Sequence, residues 1–133
     1  MKRWMPTFLK GLLLAALVHG VYGAACSKST TPDIPPVDVG KINEGAQRVE
    51  AAFASGDVTQ VQAVLTDTAR GVYQEDLASL TPDAMKAFAT DFKARTLDSY
   101  SKAYAEFSFA WKDMRYTVSL ARQDDGSYKL RTF

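Results

Sequence analysis

One cysteine, Cys26, and one histidine, His19, are all the thiol and imidazole that 133 residues contain. An internal disulfide is excluded, because it needs a second thiol. A zinc site needs about four Cys, His or carboxylate ligands at set spacings, and the chain has no such spacing. Beyond residue 26 there is neither residue type, which removes the usual general base and the Ser-His nucleophile together. Glycine-rich phosphate loops are also missing. Net positive charge is missing after the first ten residues. Lys2, Arg3 and Lys10 are three of the 16 bases and none of the 15 acids lies before residue 26, so the remainder is acidic by two. Nucleic-acid binding needs clustered Lys and Arg, so nucleic acid is not expected as a partner. No pattern calls for a cofactor or metal.

Long apolar runs are lacking too. Between Lys10 and Lys28 lie 17 residues, interrupted by Gly11, His19, Gly20 and Gly23. A bilayer span needs about 20 apolar residues, so an uncleaved transmembrane helix is the weaker of two readings. The stronger is a signal peptide over residues 1–25. "MKRWMPTFLK" supplies positive charge, "GLLLAALVHGVYG" an apolar centre, and "GAAC" a small-residue cleavage region.

"GAAC" at residues 23–26 resembles the lipobox of bacterial lipoproteins, with Gly23 where leucine is usual. That resemblance implies a diacylglyceryl group on the Cys26 thiol, and cleavage that frees its amine for acylation. The same residues also suit an ordinary signal peptidase cutting after Ala25. Residues 26–39 then read as a flexible linker, since "SKSTTPDIPPVDVG" is rich in Ser, Thr and Pro and has almost nothing to bury. At about 3.1 Å per residue it would reach roughly 40 Å from an anchor. A tether has a use after a lipid anchor and none after a plain secretion signal. Ser27 in place of aspartate implies, by the same resemblance, the outer membrane of a cell envelope, facing the periplasm.

The remaining residues, 40–133, suit one globular domain, with 47% hydrophobic and 23% charged residues over the whole chain. Ile42, Ala46, Val49 and Phe53 fall at helical spacing, with Gly56 as the stop. Asp57 and Gln60 form a capping-box pattern ahead of Val58, Val61, Val64 and Leu65. Around Gly71 the pattern loosens, and Val72, Tyr73, Leu77 and Leu80 predict a short separate helix. Thr81-Pro82-Asp83 marks a helix start, followed by Met85, Phe88, Ala89 and Phe92 on the buried side.

From Ser99 the period changes to two. A strand over 99–111 puts Ala103, Ala105, Phe107, Phe109 and Trp111 on one face. A two-residue turn at Lys112-Asp113 pairs Trp111 with Met114, Phe109 with Tyr116, and Phe107 with Val118. Lys-Asp is not a favoured primed-turn pair, and a four-residue loop would keep the same parity. For the next hairpin a three-residue loop, Asp124-Asp125-Gly126, pairs Leu120 with Leu130 and Arg122 with Tyr128, whereas a two-residue turn inverts the face. The expectation is an α+β fold, with N-terminal helices on one face of a three-stranded antiparallel meander. Phe107, Phe109 and Trp111, with Tyr116, Met85, Phe88 and Phe92, are the expected core.

This order resembles small NTF2-like (cone-shaped α+β) bacterial lipoproteins, through "AFASGDVTQVQAVL", "YAEFSF" and the ending "DDGSYKLRTF". The resemblance implies a fold that hosts both enzymes and ligand carriers, and so decides no activity by itself.

Two constellations are left to carry function. Phe107, Phe109, Trp111 and Tyr116, with Phe88 and Phe92, either fill a core or line a pocket between helices and sheet for a small apolar ligand; Tyr100 and Tyr128 belong to the same aromatic set. On the opposite sheet face Lys102, Arg115, Lys129 and Arg131, with Tyr104, Glu106 and Phe133, either form a contact patch for an envelope protein partner, an anionic ligand or lipid headgroups, or are an ordinary solvated face. Among carboxylates, Glu75-Asp76 points two ways on a helix and reads as a surface pair. Asp91 and Arg95, four apart, predict an exposed ion pair of about 0.3–0.5 kcal/mol. The expected function is a lipid-anchored, non-catalytic binding or interaction module, with an apolar-ligand carrier as the alternative. An enzyme would need a carboxylate- or tyrosine-only mechanism.

Overall fold

Among the described residues, four of the five helices begin where a short polar side chain satisfies an orphan backbone N–H. The computed structural model describes residues 36–133. Asp38 accepts from the Lys41 N–H and opens α1, Val39–Ser55. The expected linker therefore ends earlier than residue 39, because Val37 already packs on the core and Val39 is helical. The rest of that linker, Cys26 and the signal segment lie outside the described residues. α1 buries Ile42, Gly45, Ala46, Val49, Ala52 and Phe53, and closes on Gly56 at φ +69°.

Asp57 caps α2, Val58–Val64, by accepting from the Thr59 N–H at 2.8 Å. Gln60 does not complete a capping box: the Asp57 N–H donates instead to Ser55 Oγ. Thr66 caps α3, Asp67–Val72, and α4, Gln74–Ser79, follows with no side-chain cap. Of the expected stripe through this region only Leu77 is fully buried, while Val72 is exposed. Thr81 caps α5, Pro82–Phe92, with Pro82 in the first turn and Met85, Ala89 and Phe92 buried.

The sheet is an antiparallel meander in the order β1-β2-β3-β4: Thr96–Tyr100, Tyr104–Trp111, Met114–Arg122 and Tyr128–Thr132. The α+β class stands, and the strand count changes from three to four. The chain does not run straight from 99 to 111. Ser101 Oγ accepts from the N–H groups of Ala103 and Tyr104, and the Ser101 N–H donates to the Tyr104 carbonyl. A hydroxyl serving local backbone groups competes with a strand ladder, so the chain reverses there. β1 then pairs with β2 through Leu97↔Phe107 and Tyr100↔Ala105, with a register shift at Asp98.

The other registers follow the apolar faces. Trp111 pairs with Met114, Phe109 with Tyr116 and Phe107 with Val118. The loop has two residues, Lys112 at φ +49° and Asp113 at φ +63°, the left-handed pair of a type I′ turn. Leu120 pairs with Leu130 and Arg122 with Tyr128 around Asp124-Asp125-Gly126, with Gly126 at φ +82°.

The helices cover one face of the sheet. α1 crosses β4 so closely that a Cβ on Gly45 would lie 2.7 Å from Tyr128 Cβ. The segment between α2 and α3 pairs with β4 on its free side, through Leu65↔Leu130 and a Thr66 N–H to Leu130 carbonyl bond of 2.9 Å. That contact occupies an edge that would otherwise present unpaired groups. The core combines Ile42, Val49, Phe53, Val61, Leu65, Met85 and Phe92 with Phe107, Val118, Leu120 and Leu130. Each such side chain contributes about 1.5–3 kcal/mol on burial. Trp111, expected among them, is 38% exposed, and its partner Met114 is 56% exposed, because β2 and β3 run past the helices at this end.

Candidate functional site

α5 lies over the sheet with Met85, Ala89 and Phe92 on its buried face and Ala84 and Ala87 on an exposed flank. In its last turn Phe92 meets the edges of Phe107 and Phe109, with ring centroids 6.2 and 5.6 Å apart. In its first half Ala84 and Ala87, exposed beside the buried Met85, border a gap toward the sheet's far end. What remains is an apolar cleft of about 550 Å³. Phe53 from α1 and Phe109 and Val118 from the sheet form its floor. Leu80, Ala84, Ala87 and Phe88 make one wall, Trp111 and Tyr116 the other, and Phe133 follows β4 into its side.

Aromatic contacts run continuously around this space. Phe88 lies 4.3 Å from Phe53 and 5.5 Å from Phe109, centroid to centroid. Tyr116 bridges Phe109 at 6.3 Å to Trp111 at 5.0 Å. Phe133 meets Phe53 edge-on at 5.8 Å. Tilted and edge-on pairs of this kind are favoured over face-to-face stacks. The volume falls within the range of about 300–1,000 Å³ typical of small-molecule pockets. Lys112 is the one charged residue in the lining, with its Nζ 4.7 Å above the Trp111 ring.

Of the six expected pocket residues, four meet at the cleft: Phe88, Phe109, Trp111 and Tyr116. Phe92 and Phe107 do not. They are sealed in the core, and the Arg95 guanidinium covers them, 4.7 Å from the Phe92 centroid and 5.9 Å from that of Phe107. Arg95 is held there by Glu50 of α1 at 2.6 Å and by the Phe92 carbonyl. The expected partner, Asp91, is out of helical register with it. α5 ends at Phe92, so the chain has left the helix before Arg95. Tyr100 is half exposed at the sheet edge, and Tyr128 is buried under α1, so neither lines the cleft.

The expected basic face is divided. Lys102 sits in the β1–β2 turn, beside a separate recess of about 150 Å³ that Lys41, Arg122 and Tyr128 also line. Ser101 sets that turn, so Lys102 cannot share a strand face with Arg115. Arg115 is engaged by Asp98, at 2.8 and 2.9 Å to its two carboxylate oxygens. The Ser108 hydroxyl and the Arg115 guanidinium together hold the Asp98 carboxyl below the ordinary carboxylate range. Lys129 and Arg131 alone remain as a pair on β4. Glu75 and Asp76 lie exposed in the first turn of α4.

Sequence reasoning missed Phe53, Leu80, Ala84, Ala87, Lys112, Val118 and Phe133 as cleft residues. The usable signal was Ala84 and Ala87, two small residues three apart beside Phe88. Among the described residues no three His, Cys, Asp or Glu side chains gather as metal ligands, and no helix is long and apolar enough to cross a membrane. No family model, curated protein or solved structure matches the chain.

Proposed function

We propose that this domain carries a small apolar ligand in the cleft between α5 and the end of the β2–β3 hairpin. The observation that supports it is a pocket-sized apolar space bordered by the small side chains of Ala84 and Ala87, beside a densely packed helix–sheet interface. The reading is non-catalytic. The cleft offers one amine, Lys112, and one phenol, Tyr116, with no carboxylate or imidazole in its lining.

In this reading Cys26 bears the lipid, the residues after it form the tether, and the domain works at the surface of a cell-envelope membrane. Helices before a meander with an apolar space between them also suit an NTF2-like cone, here in a short form. Attachment through two or three acyl chains would be stable, whereas one chain alone binds marginally.

Native mass spectrometry of the protein, isolated without organic extraction, tests the carrier reading. A reproducible bound small molecule, lost on denaturation and lost in Trp111→Ala, is the expected result. A protein that stays ligand-free, and takes up no alkyl or aryl probe at saturating concentration, contradicts it.

A further inference from the structure

We infer that the carried ligand is an anionic amphiphile, with its apolar body in the cleft and its one charged head at Lys112. This rests on the carrier reading above and names the class of ligand for that site. Lys112 is the only charged side chain lining the cleft, and it adjoins Trp111, which is 38% exposed at the cleft's edge. Among the described residues it forms no ion pair, although Asp113 adjoins it in sequence. Its ammonium rests on the indole face instead, a position that leaves it free to meet an incoming anion.

The backbone at this position points the same way. Both residues of the β2–β3 turn are left-handed, a conformation for which glycine and asparagine are the inexpensive choices. A lysine at φ +49° is held against its preference by the pairing of Trp111 with Met114 on either side. Backbone strain of this kind concentrates where a side chain is needed in one place. The two-residue turn puts the amine above the cleft wall, and a longer loop would carry it away.

The ligand expected is therefore a mid-length chain or ring system ending in a single carboxylate or comparable anion, not a neutral hydrocarbon or a polyanion. Dodecanoate and dodecanol are suitable probes, because they share the same alkyl body and differ in the head. Intrinsic fluorescence reads the site directly, because Trp4→Phe leaves Trp111 as the sole indole whether or not residues 1–25 are removed. Dodecanoate is expected to shift Trp111 emission at saturable, stoichiometric concentration. Lys112→Gln is expected to lower the ratio of dodecanoate to dodecanol affinity by about tenfold or more, the loss of one charge-assisted contact. Lys112→Arg should restore most of that ratio. Lys112→Asn removes the charge while easing the turn, so a loss of the ratio with a raised Tm separates head recognition from folding.

An unchanged ratio in Lys112→Gln and Lys112→Asn, with both probes still binding, overturns the anionic-head assignment and leaves the carrier reading standing. Failure of the parent chain to bind either probe overturns both.

Discussion

The two ends of α5 face the same sheet and have opposite fates. At the C-terminal end, Phe92, Phe107 and Phe109 interlock, and Arg95 and Glu50 close the outside. At the N-terminal end, Ala84 and Ala87 stand opposite Trp111 and Tyr116, and the space between is open. Phe92 seals one end, whereas at the other the small side chains of Ala84 and Ala87 flank the cleft and the β2–β3 hairpin runs on beyond the buried core. The comparison also separates stability from binding. Interior packing is normally dense enough that one missing side chain is felt, so an unfilled end is a cost that binding would explain.

The largest expected effect falls at the closed end. Phe92→Ala should destabilise the domain by about 3–5 kcal/mol in denaturant titration, from lost burial plus a cavity. Trp111→Ala, at the open end, should cost under about 1.5 kcal/mol, because this indole is already partly in water. Equal losses at the two positions would break the distinction. Next comes Gly45→Ala. Its new Cβ would meet both Cβ and the carbonyl oxygen of Tyr128, and α1 would have to lift from β4. Overpacking of this order costs about 1–3 kcal/mol, which outweighs alanine's helix preference of about 1 kcal/mol. A stabilised Gly45→Ala would show that the close approach can relax freely.

Arg95→Met is expected to cost about 1–2 kcal/mol, between the values for exposed and buried pairs, since the Arg95 side chain is only 12% exposed and Glu50 is left without its partner. Glu50→Gln in the same background should recover part of that loss, which thermal melts of the single and double variants would read. The smallest effect belongs to Asp98. Its folded pKa is depressed by Ser108 and Arg115, so its contribution is fully present above the ordinary carboxylate range and fades as pH falls through that range toward the folded value. Tm measured from about pH 5 to pH 2 should drop less steeply for Asp98→Asn than for the parent chain. Parallel curves would show that the Asp98–Arg115 contact adds nothing.

Much of this was legible because face and parity are rigid constraints. Setting Phe109 beside Tyr116 and Leu120 beside Leu130 left one register for each hairpin, and Gly126 supplied the left-handed residue that the second loop needs. The cap at Asp57 and the start at Thr81-Pro82 were equally direct. β1 was hidden because Leu97 is its one fully apolar inward residue, and because the reversal rests on a serine hydroxyl. The partner of Arg95 depends on how α1 and α5 pack, which no local spacing contains. For the cleft, aromatic residues announced themselves, but the alanines that border it look in sequence like any helix surface. Four of the six expected lining residues were found and the two deepest were misplaced, since periodicity tells which face a ring is on and not how far along it lies from the opening.

The claim that one end of the helix–sheet interface is a ligand cleft and the other a core is tested most directly by an amide NMR titration with dodecanol. Both ends are then read in one spectrum. The account predicts saturable shifts at Ala84, Ala87, Phe88, Trp111 and Tyr116, with Phe92 and Phe107 unmoved. Shifts centred on Phe92 and Phe107, or none anywhere at saturating probe, would contradict it.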